Sequence, residues 1–132
     1  VAFRVGLDLV SVKSVDEALR THAERYLERV YTEAEVGDCQ GPDGILVERL
    51  AARYAAKEAA LKVLRPGATA VPWRTIEVRR DSSGFVELEL TGAAAARAHD
   101  CGLGNFALSL THEDGYAAAV VIADLDLRNG PR

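Results

Sequence analysis

Ile45-Leu46-Val47-Glu48-Arg49-Leu50-Ala51-Ala52-Arg53-Tyr54-Ala55-Ala56-Lys57-Glu58-Ala59-Ala60-Leu61-Lys62-Val63-Leu64 contains no Pro or Gly and consists largely of strong helix formers. It reads as a long central helix, stopped by Arg65-Pro66-Gly67. At about 100° per residue, Leu46, Leu50, Leu61 and Leu64 form one stripe, and Ala52, Ala56, Ala59 and Val63 cover another side. A helix apolar over so much of its circumference is a buried one. Yet Lys57 falls inside the leucine stripe, and Glu58 with Lys62 fills the gap between the two apolar faces. Charges in such places are costly unless they are paired or used.

Upstream, Phe3, Val5, Leu7 and Leu9 alternate with Arg4, Gly6 and Asp8, the period-2 pattern of a half-buried strand whose apolar face excludes Asp8. Ser14-Val15-Asp16-Glu17 matches a capping box, predicting a helix over about Val15 to Arg29, and Thr32-Glu33-Ala34-Glu35 repeats the signature. The breaker-rich run Gly37 to Gly44 reads as a mobile loop. Downstream, Thr75 to Arg80 and the alternating Val86, Leu88 and Leu90 flank the turn Asp81-Ser82-Ser83-Gly84 as a hairpin. Thr91 caps an Ala-rich helix ending near Gly102. Phe106, Leu108 and Leu110 then alternate in a strand, and Glu113-Asp114-Gly115 turns the chain into a last strand from Tyr116 to about Asp124. The order β, α, long α, then mostly β predicts an α+β fold, a mainly antiparallel sheet packed on one long buried helix.

The chain has 132 residues, 48% of them apolar and 27% charged, which fits one globular domain over 1–132. Its longest apolar run, Tyr116 to Ala123, is far short of the roughly 18 residues of a membrane span. No signal-peptide pattern opens it, so a cytoplasmic protein with no membrane partner is expected. No Met occurs, so Val1 is not an encoded start and the chain is expected to be processed or cut from something longer. Cys39 and Cys101 lack metal-site or disulfide spacing and read as free thiols. A net charge of −4 argues against nucleic acid as a partner. Between Arg49 and Arg65, however, five basic residues (Arg49, Arg53, Lys57, Lys62, Arg65) face one acid, Glu58. That is a focused anion site in an acidic protein.

Three segments concentrate the chemistry: Val5-Gly6-Leu7-Asp8-Leu9-Val10, Arg53-Tyr54-Ala55-Ala56-Lys57-Glu58-Ala59, and Leu108-Ser109-Leu110-Thr111-His112. Together and in this order they resemble the holo-acyl-carrier-protein synthase family, the small phosphopantetheinyl transferases, over nearly the whole chain. Its members carry G-[IVL]-D on a first strand, [FWY]-A-A-K-E-A on a helix and S-[LIV]-[ST]-H on a late strand. The resemblance implies the phosphopantetheinyl transferase fold, a homotrimer with sites at subunit boundaries, and transfer of 4′-phosphopantetheine from coenzyme A to a serine of an apo acyl carrier protein. The other product is adenosine 3′,5′-bisphosphate, and fatty-acid and polyketide carriers are the candidate partners.

By the same resemblance Asp8 and Glu58 hold the metal, Mg²⁺ or Mn²⁺, and Glu58 or a metal-bound water is the base. Magnesium's preference for one or two carboxylates, completed by water and phosphate, agrees. Lys62, one helical turn beyond Glu58, is the group that meets the leaving phosphate. Arg53, Lys57 and His112, with Arg49, are assigned to the phosphates and adenosine end of coenzyme A. Lys13, Arg20 and Arg25, on or beside the first helix, are expected to dock an acidic carrier. Taken singly, Asp8 is equally a solvated strand residue and Glu58 half of a surface pair with Lys62.

His22 and His99 read as surface residues, and Ser109 lacks the surroundings of a hydrolase nucleophile. Two positions depart from the family pattern. Ser14 stands where many relatives carry Arg, and Phe85-Val86 follows the hairpin glycine where relatives often show a small or basic residue and then Pro. A non-catalytic coenzyme A-binding module and a hot-dog-like thioesterase are the competing readings. The first would lack turnover, and the second would release free thiol without metal.

Overall fold

The computed structural model describes residues 1–128, so residues 129–132 of the expected 1–132 domain lie outside the described residues. Strand β1 (Ala2–Ser11) leads into helix α1 (Val12–Val30) and the short α2 (Glu33–Asp38). The two-residue strands β2 (Gln40–Gly41) and β3 (Gly44–Ile45) precede the central helix α3 (Val47–Leu64). A 3-10 turn at Trp73–Thr75 opens the hairpin β4 (Ile76–Arg80) and β5 (Val86–Leu90). Then come α4 (Gly92–Cys101), β6 (Leu103–Glu113) and β7 (Tyr116–Leu125).

The main sheet has three antiparallel strands in the order β1-β7-β6, and β4 pairs only with β5. Asp114 (φ 51°) and Gly115 (φ 80°) both take the left-handed conformation between β6 and β7, the geometry of a tight hairpin turn whose twist matches its strands. Helix α3 lies on this sheet and buries Leu50, Ala51, Ala52, Ala55, Ala56, Ala59, Ala60, Val63 and Leu64. Its partners are small: Ala117, Ala119, Val121 and Ala123 of β7, all buried. At Gly6 the helix backbone comes so near that a Cβ would stand 2.0 Å from the Ala59 carbonyl oxygen. Only glycine permits that approach.

This contact corrects the expected sense of β1. Phe3, Val5, Leu7 and Leu9 are 56%, 63%, 63% and 66% exposed, whereas Arg4, Gly6 and Val10 are buried. The small and polar face turns to α3, because a bulky face could not admit the helix backbone. Arg4 is accommodated by donating from Nη1 to the Val63 carbonyl at 3.0 Å.

Three local expectations also change. Helix α1 starts at Val12 with Ser11, not Ser14, as its cap, Ser11 Oγ accepting from the Ser14 amide at 3.4 Å. It bends at Ala23, whose φ of 46° is non-helical. The segment 37–44, expected to be a mobile loop, holds the β2–β3 pair and the fully buried Cys39. The second capping box forms as read, with Thr32 Oγ1 accepting from the Glu35 amide at 3.2 Å and Glu35 Oε1 from the Thr32 amide at 2.9 Å.

Gly6→Ala should therefore cost about 2–3 kcal/mol, because backbone rather than a flexible side chain must yield. Gly37→Ala, with open space around its Cβ position, is the control. Equal melting temperatures for the two variants would contradict the packing described.

Candidate functional site

Two groups of polar side chains flank α3. On the β1 side, the inward turn of Asp8 sets its carboxylate beside Lys62, with Nζ 3.3 Å from Oδ1. The same ammonium donates to the Leu7 carbonyl at 2.7 Å. Lys62 thus pairs with Asp8, not with Glu58 of its own helix. Glu58 instead receives the hydroxyl of Tyr54, one turn earlier on α3. Burial first, and then the Glu58 carboxylate, pushes the Tyr54 phenol up to about 12, so at neutral pH it remains a donor. The Tyr54 ring packs on Trp73 with centroids 5.3 Å apart, which limits where that hydroxyl can point.

On the β6 side, a cleft of about 430 Å³ is lined by Arg49 and Arg53 from α3, Arg80 and Phe85 from the β4–β5 hairpin, and His112 from β6. Arg53 is 4% exposed, and its Nη1 donates to the Arg49 carbonyl at 3.2 Å. Its buried Nε finds no acceptor, so a guanidinium edge is left to meet an anion. Arg49 Nη1 donates to the Asp38 carbonyl at 3.3 Å. A hollow of similar size near Val1 and His99 has a lining of mixed charge, Asp124 and Asp126 with Arg128, and that guanidinium is already paired with Asp126.

The structure thus gathers Arg49, Arg53 and His112, and it separates them from the carboxylates. At about 100° per residue, Glu58 and Lys62 lie roughly 140–180° around α3 from Arg49 and Arg53. In the sheet, β1 and β6 are the two edges, with β7 between them. The single focused anion site expected around Glu58 between Arg49 and Arg65 is therefore corrected.

Lys57 is corrected more sharply. It is fully buried, 2.8 Å from Glu35 Oε1, and donates to the carbonyls of Trp73 and Ile76, so it has no free proton for a phosphate. Desolvation lowers its pKa against the opposing pull of Glu35. Arg80 and Phe85 are the lining residues that motif spacing did not single out as binding groups. The departure from the family pattern at Phe85-Val86 was their one signal. Lys13, Arg20 and Arg25 are exposed, Arg20 already paired with Asp16 at 3.0 Å. His22 and His99 are exposed as expected. Cys39 and Cys101 are free and buried, and burial pushes the Cys39 thiol up to about 11.

The two carboxylates fit a hard divalent cation. They offer only oxygen, and among the described residues no three His, Cys, Asp or Glu groups converge. Magnesium completes such partial sets with water and phosphate oxygens.

Comparison with known proteins identifies the family and the fold. Residues 4–121 match the sequence profile of the 4′-phosphopantetheinyl transferase superfamily. A holo-[acyl-carrier-protein] synthase of Chloroflexus aggregans is 41% identical, over 92% of this chain and 95% of its own. That of Herpetosiphon aurantiacus is 40% identical, over 89% and 94%. The fold superposes on a Chronobacterium ammoniagenes ACPS–CoA complex with a TM-score of 0.82 at 30% identity, covering 96% of this chain and 99% of the other. For the Mycobacterium tuberculosis acyl carrier protein synthase the TM-score is 0.71 at 35% identity, covering 92% and 96%. Among the described residues no helix is long and apolar enough to cross a membrane.

If the β6-side cleft is the anion site, inorganic pyrophosphate at ten times its dissociation constant should stabilise the protein by about 1.4 kcal/mol. Thermal melts should show the shift in the wild type and lose it in Arg53→Ala. An equal shift in both proteins would remove Arg53 from the site.

Proposed function

The chain belongs to the holo-[acyl-carrier-protein] synthase branch of the 4′-phosphopantetheinyl transferase superfamily, and from that premise we propose how its residues divide the reaction. It transfers 4′-phosphopantetheine from coenzyme A to a serine of an apo acyl carrier protein, releasing adenosine 3′,5′-bisphosphate. The observation that carries the assignment of groups is the placement of two pairs, Asp8 with Lys62 and Glu58 with Tyr54, on the flank of α3 turned away from a cleft rich in guanidinium groups.

In this reading Arg49, Arg53, Arg80 and His112 bind the adenosine end and its phosphates. Asp8 and Glu58 would hold Mg²⁺, or Mn²⁺, which when bound neutralises charge on the pyrophosphate. The serine oxygen forms a bond to the phosphorus bearing pantetheine, and the bond from that phosphorus to the oxygen of the bisphosphate breaks. The serine proton leaves toward the Glu58 carboxylate, directly or through water, and Tyr54 holds that carboxylate by donating to it. Lys62 exchanges Asp8 for the leaving phosphate and stabilises the charge that develops there. Such chemistry depends on placement and charge, which a rigid helix and strand supply.

A homotrimer accounts for the two-flank arrangement. One coenzyme A molecule would have to pass around α3 to touch both groups of a single chain. The β1 edge of one copy set against the β6 edge of another brings them together. The outward face of the sheet supports this, since Phe3, Val5, Leu7, Leu9, Val120 and Ile122 form a continuous exposed apolar surface, the kind that subunits cover. The carrier docks on α1 through Lys13, Arg20 and Arg25. That helix also carries Asp16, Glu17, Glu24 and Glu28, so its field is mixed, and the exposed Ser14 adds no charge. The working unit spans residues 1–132 and acts in the cytoplasm.

Mass spectrometry of fatty-acid and polyketide apo carriers incubated with the protein, coenzyme A and Mg²⁺ should show one added phosphopantetheine. Chelation should abolish the transfer, and metal should restore it. Glu58→Gln should lower turnover at least about a hundredfold, with excess Mg²⁺ restoring little. Lys62→Ala should lower turnover by about a hundredfold while affecting coenzyme A binding less. Near wild-type turnover in both folded variants would show that the carboxylate site is misplaced.

Light scattering should give three times the chain mass. Val5→Asp, a change on an exposed position costing the isolated chain no more than about 0.5 kcal/mol, should give an inactive monomer. A monomeric wild type with full activity would exclude the composite site.

A further inference from the structure

Glu35 and Lys57 form the one ion pair among the described residues in which both side chains are fully buried. Every bonding position that matters is filled. Glu35 Oε1 takes the Lys57 ammonium at 2.8 Å and the Thr32 amide at 2.9 Å, and Oε2 takes the Val78 amide at 2.9 Å. The other two ammonium protons go to the carbonyls of Trp73, at 3.1 Å, and Ile76. The pair thus ties α2, α3, the 3-10 turn and β4 at one point.

Burying a charge pair is no general route to stability, since well-packed apolar residues often do as well. Its distinctive property is geometric. Directional bonds from the pair to four other groups allow one arrangement, whereas apolar contact alone tolerates sliding. The element most in need of such fixing is the β4–β5 hairpin, which shares no ladder with the main sheet. A two-stranded hairpin has little stability of its own in water. That hairpin supplies Arg80 and Phe85 to one wall of the basic cleft, and α3 supplies Arg49 and Arg53 to the other. Lys57, one turn beyond Arg53, is bonded directly to the β4 backbone.

We propose that the Glu35–Lys57 pair is a positioning device for the basic cleft, setting the separation of its α3 and hairpin walls and thereby the affinity for the nucleotide end of coenzyme A. The inference rests on the reading of that cleft given above. Neither residue touches the substrate.

Glu35→Gln tests it, because the amide keeps the shape but must turn a donor toward either Lys57 or the Val78 amide. In the folded variant the KM for coenzyme A and the Kd for adenosine 3′,5′-bisphosphate should rise about tenfold, with kcat within twofold and the KM for the carrier unchanged. A folded variant with a lower melting temperature but unaltered KM and Kd would show that the pair is merely structural and overturn the proposal. Arg53→Ala separates the two levels of inference. Weaker bisphosphate binding in Arg53→Ala but not in Glu35→Gln sinks only the positioning role, and unaltered binding in Arg53→Ala sinks the cleft reading and this proposal with it. Amide exchange in the wild type covers the case in which Glu35→Gln does not fold. The Val78 amide should exchange as slowly as those of Ala59 and Ala60. Exchange at Val78 more than about a hundredfold faster than in α3 would mean that the hairpin opens independently, and the proposal fails.

Discussion

The backbone of α3 rests almost directly on the backbone of β1 at Gly6, where a Cβ would stand 2.0 Å from the Ala59 carbonyl oxygen. So close an approach requires small residues on both sides, and the inner positions of β7, Ala117, Ala119 and Ala123, meet that requirement. Much follows from it. The bulky residues of β1 must face away from the helix, so Asp8 must face toward it. A helix this near the strand brings Lys62 within 3.3 Å of that carboxylate. A more ordinary spacing of about 10 Å between layers, filled with leucine and phenylalanine, would leave the same charged residues apart.

Polar groups around α3 are distributed by the same economy of space. The helix has three kinds of surroundings: the alanine-lined sheet, the hairpin with α2, and the two flanks. Lys57 points into the second and is neutralised there by Glu35. Arg53 reaches the rim of one flank with one nitrogen unpartnered, while Glu58 and Lys62 reach the other. The buried Glu35–Lys57 pair is fully bonded, whereas the two buried guanidinium groups, Arg4 and Arg53, each keep an unpartnered Nε. Position 57 and position 58 are adjacent, yet one is fully buried and the other half-buried at a flank.

The outer face of the sheet carries the complementary consequence. Turning Phe3, Val5, Leu7 and Leu9 away from α3 creates an apolar surface joined across the strands to Val120 and Ile122. Water contact with that surface is unfavourable at about 25 cal/mol per Å². Close packing inside the chain and an exposed apolar face outside it are thus two results of one sorting of side chains, small inward and large outward.

The amino-acid sequence by itself determined the order of helices and strands, the Thr32–Glu35 capping box, the two hairpins and the family, because these depend on local propensity, turn chemistry and residue identity at fixed spacing. Asp8, Glu58, Lys62, Arg53 and His112 stood out as candidates for the same reason. The sense of β1 was not, since alternation states a period but not which phase faces the core, and hydrophobicity alone pointed the wrong way. Lys57 was misread because its partner, Glu35, is 22 positions away, and only packing shows that they meet. Arg80 and Phe85 join the cleft through a hairpin whose placement is set by bonds from α2 and α3 rather than by its own residues. What the tertiary structure decided, then, is which charges face protein and which face a flank, because burial is a property of the surroundings a residue shares with distant parts of the chain.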